Sequence, residues 1–162
     1  MRPTGAEDGE AFGRIADDAL LEFNPRMPTP FDAQAWIAER LEHGAPRIGH
    51  TVMRKADSAV IGYVQVEPTP VSAKEVYNDV GYWFGRAFWG HGFATEAVLA
   101  LLAYLDQPGA WPAFANVDLR NTKSMRVLER AGFTRRDHGP TQGRDGFVWY
   151  RWLARKPAVV SF

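Results

Sequence analysis

Gly81-Tyr82-Trp83-Phe84-Gly85-Arg86-Ala87-Phe88-Trp89-Gly90-His91-Gly92-Phe93-Ala94-Thr95-Glu96-Ala97 is the run on which the fold turns. An apolar, aromatic strand pattern closes at Phe84, a loop with glycines at 85, 90 and 92 follows, and an alanine- and leucine-rich helical pattern starts at once. The first turn of a helix leaves four backbone N–H groups without partners, and the helix dipole adds partial positive charge there. Glycine lets such a turn take positive φ and lets an anion approach the backbone without meeting a Cβ. Strand, glycine turn and helix start together predict a seat for a phosphate-bearing cofactor. The glycines do not say which one. A P-loop needs Gly-Lys followed by Ser or Thr, which does not occur, and the dinucleotide fingerprint needs glycine where Thr95 stands. Gly90-x-Gly92 alone also fits a tight turn that binds nothing.

A second run decides between these readings. Asn121-Thr122-Lys123-Ser124-Met125-Arg126-Val127-Leu128-Glu129-Arg130-Ala131-Gly132-Phe133 predicts a short helix closed by a glycine, then a strand opening on Phe133. Taken with the Trp89-Gly90-x-Gly92-Phe93-Ala94-Thr95-Glu96-Ala97 run, it resembles the GNAT superfamily of N-acetyltransferases, and within it the RimJ/RimL branch. The resemblance runs from Ile61 to Phe133 and is compatible over 8–55 and 144–153. It implies a mixed α/β (α+β) fold with a central mixed, mostly antiparallel sheet flanked by helices. The family's first strand is short or missing here, because only Met1-Arg2-Pro3-Thr4 precedes the first helical pattern and Pro3 leaves little room. The edge of the neighbouring strand, 48–55, then needs a cover. The apolar tail 157–162, a partner subunit or an N-terminal extension are the candidates.

Composition agrees. The 162 residues suit one domain, 1–162, long enough to bury about two-thirds of the unfolded surface. Nineteen acidic and nineteen basic residues cancel, giving no electrostatic reason to expect nucleic acid or an anionic membrane. The absence of cysteine excludes disulfides, thiolate metal sites and a cysteine nucleophile. His43, His50, His91 and His138 show no metal-ligand spacing, so no metal is expected. The polar start and the lack of a membrane-length apolar run imply a cytoplasmic protein, with a homodimer left open.

Periodicity predicts a helix over 6–22, a proline-broken loop over 24–30, and a helix capped by Asp32 and ended by His43-Gly44. A hairpin 48–55/59–67 follows, then a connection over 66–74 and a strand 75–84. The glycine loop leads into a helix to about Leu105, a turn at 106–109, a strand 111–118, the helix 121–131, and closing strands 133–136 and 147–153.

The activity that the resemblance implies is acyl transfer from acetyl-CoA, bound as co-substrate, to an amine acceptor: a protein N-terminus or a small molecule. A thioester is already activated, so the lack of a protein nucleophile is no obstacle. What remains is to bind the cofactor, take a proton from the ammonium and give one to the leaving thiolate. By resemblance the cofactor residues are Phe84, Trp89, Gly90, His91, Gly92, Phe93, Ala94 and Thr95, whose backbone N–H groups wrap the pyrophosphate, together with Asn121 on the pantetheine arm and Ser124 near the sulfur. Trp89 stands where the wider superfamily has arginine or glutamine, so it is expected to pack the loop. Many relatives place a tyrosine proton donor seven residues after the asparagine; Leu128 occupies that position, which moves the donor role to Ser124. Asp79, on the strand before the loop, is the first choice for general base, ahead of Tyr82, Tyr150 and Glu75. Asn121 also fits a routine helix cap, and Asp79 a surface carboxylate. A non-catalytic acyl-CoA-binding or sensor module on the same fold is the alternative.

Overall fold

In the computed structural model, which describes residues 1–24, 27–42, 48–70, 76–106, 111–136 and 146–153, the N-terminus forms a minimal strand after all. β1 (Arg2–Pro3) pairs antiparallel with β2 (Ile48–Met53) through Arg2↔Thr51 and Pro3↔His50, and Thr4 N–H continues to the Gly49 carbonyl at 3.1 Å. The edge of β2 is therefore covered by the chain's own first residues, which corrects the expectation of a separate cover; 157–162 lie outside the described residues. A buried carboxylate holds this short strand. Asp8, 1 % exposed, accepts from Arg2 at 2.5 and 3.0 Å, from the Thr51 hydroxyl at 2.7 Å and from Gly5 N–H at 3.0 Å. Burial alone would push this carboxyl up, but Arg2, Thr51 and Gly5 together hold it below the ordinary range.

The helix expected over 6–22 is broken into a 3-10 turn, Ala6–Asp8, and two helices, α1 (Gly9–Ile15) and α2 (Asp18–Glu22). The break has a local cause: Ala16 turns extended, and the Asp17 carboxylate caps the Leu20 N–H at 2.9 Å to start the second helix. Asp32 caps α3 (Ala33–Glu42) through Ala35 N–H at 3.0 Å, as its position predicts. β3 (Val60–Pro70) runs through Pro68 and Pro70, which correct the expected connection. Both prolines pair with β4 (Val76–Phe84), but the pairing of β2 ends at Ile48↔Val66. They thus sit where β3 has a neighbour on one side among the described residues, a position proline tolerates.

α4 (Phe93–Leu105), β5 (Ala113–Asp118), α5 (Thr122–Arg130), β6 (Thr134–Arg136) and β7 (Phe147–Trp152) complete the order. The sheet has seven strands, β1-β2-β3-β4-β5-β7-β6, and all neighbours are antiparallel except β4 and β5. This is the expected mixed, mostly antiparallel sheet flanked by helices. One core, with Val64, Val66, Val80, Phe84, Val117 and Val148, lies under Val98, Leu101 and Leu102 of α4 and Leu128 of α5. On the other face Phe12, Trp36, Tyr63 and Trp83 meet with ring centroids 4.9–6.1 Å apart and fix α1 and α3 to the sheet. Each fully buried large side chain contributes about 1.5–3 kcal/mol.

The parallel pair determines where chemistry can happen. β4 and β5 are paired only at Asn78↔Ala113 and Asp79↔Phe114. Asn78, buried, locks this closed end: its N–H donates to Pro112 C=O at 2.9 Å and its Nδ2 to Trp111 C=O at 3.0 Å. Beyond it the strands diverge, leaving 80–84 of β4 facing 115–118 of β5 across a split in the sheet.

Candidate active site

The split opens into a cleft of about 550 Å³, walled by residues Val80–Phe84, Ala115–Asp118, the loop from Phe88 into α4, and the first turns of α5. Its size is that of a small-molecule site. Along the split the β4 edge offers ladder groups that β5 does not pair, the kind of edge on which an extended, amide-bearing chain can add hydrogen bonds.

At one end stands the helix start legible in the sequence. Gly90 and Gly92 have φ of 81° and 85°, and Gly92 is the N-cap of α4. The cap has no side chain to offer, and the first main-chain bond of the helix runs from Glu96 N–H to Gly92 C=O, so the Phe93, Ala94 and Thr95 N–H groups have no acceptor among the described residues. A Cβ added at Gly90 or Gly92 meets no protein atom within 4 Å and would stand in open space. Three free amides at a positive helix end fit a phosphate group. Trp89 packs the loop, donating its indole N–H to Phe84 C=O at 2.6 Å with the Lys123 ammonium 4.6 Å over its ring. His91 is exposed and stacks on Phe93 at 5.8 Å.

Lys123, Arg126 and Arg130 add three positive charges to the same wall. Sequence reasoning missed them. Their spacing on α5, i, i+3 and i+7, is the signal that one helix face carries all three.

At the middle of the split the two runs meet. Asn121 caps α5, its Oδ1 accepting from Ser124 N–H at 3.0 Å, and its Nδ2 is left without a protein partner among the described residues. The Ser124 hydroxyl lies 2.8 Å from the Tyr82 hydroxyl of β4, which also reaches Ser124 C=O at 3.1 Å. Burial pushes the Tyr82 phenol well above its usual value, against a weaker downward pull from Ser124. The shift favours the protonated phenol, the form that can donate. Leu128 is fully buried in the core, so the phenol missing from α5 is supplied to Ser124 from β4 instead.

Of the remaining base candidates, Tyr150 donates to Glu129 at 2.9 Å, and Glu75 lies outside the described residues. Asp79 sits at the closed end of the split, paired with Glu67 and Phe114, on the strand face that it shares with Trp83. The cleft wall begins one residue later, at Val80. Asp118 is the one carboxylate on the wall among the described residues, bonded to Arg120 at 2.7 Å, and that guanidinium holds its carboxyl below the usual range. Among the described residues no group of three His, Cys, Asp or Glu side chains could hold a metal ion, and no helix is long and apolar enough to cross a membrane.

A sheet split between parallel strands holds an anion-ready helix start at one end of the cleft and a hydroxyl pair at its middle. Residues 1–134 match the acetyltransferase (GNAT) domain family, and the chain belongs to it. An acetyltransferase of the GNAT family from Bacillus anthracis has a similar structure, with a TM-score of 0.76 at 20 % identity over 94 % of this chain and 93 % of that one. Aminoglycoside acetyltransferase AAC(6')-Ib, solved in complex with coenzyme A and kanamycin, is similar with a TM-score of 0.73 at 18 % identity over 95 % and 93 % of the two chains. Among curated proteins, the uncharacterized protein YkkB of Bacillus subtilis (strain 168) is 27 % identical over 113 residues, 69 % of this chain and 57 % of YkkB. The match thus spans little more than half of that relative.

Proposed function

We propose that this chain is an acetyl-CoA-dependent N-acetyltransferase of the RimJ/RimL-like branch, moving an acetyl group to a primary amine by direct attack in a ternary complex. The observation that carries the reading is the Tyr82–Ser124 hydroxyl pair, 2.8 Å apart in the cleft that also holds the uncapped helix start. Bound acetyl-CoA supplies an activated thioester. The N–H groups of 93–95, aided by the Thr95 hydroxyl and the positive wall of α5, bind its pyrophosphate. Hydrogen bonds to charged groups contribute about 1.5–3 kcal/mol each, more than the helix dipole's 0.3–1 kcal/mol. The free Nδ2 of Asn121 donates to the pantetheine arm. With its single proton on Ser124 Oγ instead of Ser124 C=O, the Tyr82 O–H turns the Ser124 proton outward, toward the departing sulfur. Asp79 takes the proton of the incoming ammonium through a water, since it stands one residue behind the wall.

Two measurements on the purified chain test this reading: calorimetric titration with CoA, and thiol release from acetyl-CoA across a panel of amines. Amine-dependent release is the expected result. CoA binding with no release above hydrolysis for any amine would instead make the chain an acyl-CoA-binding module.

A further inference from the structure

The cleft has a second side, away from the helix start, and its chemistry points to a class of acceptor. There α2 bridges the two lips of the split. Asp17, its N-cap, pairs with Arg86 beyond β4 at 3.0 Å, and Glu22 at its other end pairs with Arg120 beyond β5 at 3.3 Å. Leu20, Phe23 and Trp83 give this side apolar walls. On β5, Asn116 alternates with Ala115 and Val117 of the core under α4, so it belongs to the opposite strand face. It lines the cleft, and its Oδ1 is buried with no hydrogen-bond partner among the described residues. Folded proteins rarely leave such an acceptor unpaired. A half-turn of the amide about χ2 exchanges Oδ1 with the accessible Nδ2 and presents the oxygen to an N–H donor in the cleft.

Charge narrows what that donor is. A polycation needs several uncompensated carboxylates, but among the described residues Asp17, Glu22 and Asp118 are each engaged by Arg86 or Arg120, and Asp79 stands behind the wall. We propose that the α2 side of the cleft takes a primary amine with a single positive charge and an apolar or aromatic substituent, and that Asn116 Oδ1 accepts one of its N–H bonds. The inference rests on the acetyl-transfer reading for its chemistry, but not for its test. Leu20, Phe23 and Trp83 hold the substituent, and Asn116 aims the nitrogen into the split toward the thioester side.

The test is calorimetric titration of the full chain, saturated with CoA, with four probes: phenethylamine, a peptide with a free N-terminal phenylalanine, spermidine and kanamycin. Either singly charged probe should bind at least about tenfold more tightly than both polycations, a difference of 1.4 kcal/mol. The tighter of the two tells a small amine from a chain terminus as the source. Asn116→Leu should weaken that probe about tenfold, leave CoA affinity unchanged and raise the melting temperature, because an unpaired buried acceptor is replaced by a similar apolar volume. A purely structural asparagine would not combine these effects. Asn116→Ser serves if the leucine variant does not fold, with the same expected loss of amine affinity. Equal or tighter binding of spermidine or kanamycin, no binding by any probe, or an unchanged amine affinity in the variant that folds would overturn the proposal. Amine binding without thiol release would leave it standing and remove the acetyl-transfer reading instead.

Discussion

Tyr82→Phe removes one oxygen and keeps the ring, so it isolates what the hydroxyl pair contributes. The lost atom bonds Ser124 Oγ at 2.8 Å and Ser124 C=O at 3.1 Å. As structure alone, one phenolic proton facing these two acceptors contributes about 0.5–1.5 kcal/mol, or roughly 1–6 °C in melting temperature for a chain of this length. As catalysis the loss depends on whether Ser124 acts alone. General acid–base groups contribute about 10²–10⁴ in rate, and a residue that only orients such a group loses most of that when the orientation goes. Tyr82→Phe and Ser124→Ala should therefore each lower kcat about 100-fold. The double variant should be no worse than either, a coupling of about 2.7 kcal/mol, because the two hydroxyls act as one unit. Steady-state kinetics with acetyl-CoA should leave its KM within about threefold, since the help grows in the transition state. Losses that multiply to about 10⁴ in the double variant, a Tyr82→Phe effect under about fivefold, or a change confined to KM would refute the pairing.

Gly92→Val puts a β-branched residue at φ 85°, and loss of CoA affinity by calorimetry in a protein that still folds is the expected result; unchanged affinity would remove the helix-start argument. Asp79→Asn should lower kcat/KM about 100-fold near pH 7 and abolish the acidic limb of the pH–rate profile, whereas a wild-type profile would place the base elsewhere. The clamp at Asp8 makes a prediction about stability. Its folded pKa lies below the unfolded value near 3.9, so its contribution is complete above that value and is lost as pH falls through the folded one. Asp8→Asn should cost about 1–3 kcal/mol at pH 7 and flatten the fall in melting temperature below about pH 4; an unchanged acid limb would show that Asp8 is not the group titrating.

The sequence by itself determined what is local. Gly92 caps α4 and Asn121 caps α5 because a turn conformation or a side-chain oxygen acts on residues two or three positions away. The alternation in 76–84 and the glycine after α5 likewise report nearest-neighbour preferences, which survive without knowledge of the rest of the chain. Two local rules misled. Periodicity carried one helix across Ala16, where the Asp17 cap starts a second, and the prolines at 68 and 70 suggested a connection where the free side of β3 accommodates them.

Only the tertiary structure decided the site. Tyr82 and Ser124 are 42 residues apart, and nothing in either segment predicts that strand divergence brings their hydroxyls together. The motif position seven after Asn121 shows a leucine and suggests a missing phenol; the phenol comes from another element. Asp79 reads as a site residue in one dimension, yet register leaves it at the closed end of the split. Asn116 and the α5 cations carry no motif, because their role depends on what faces them across a gap. That gap exists because β4 and β5 pair over two residues and then part, which is a property of register and twist between distant segments and of no segment alone.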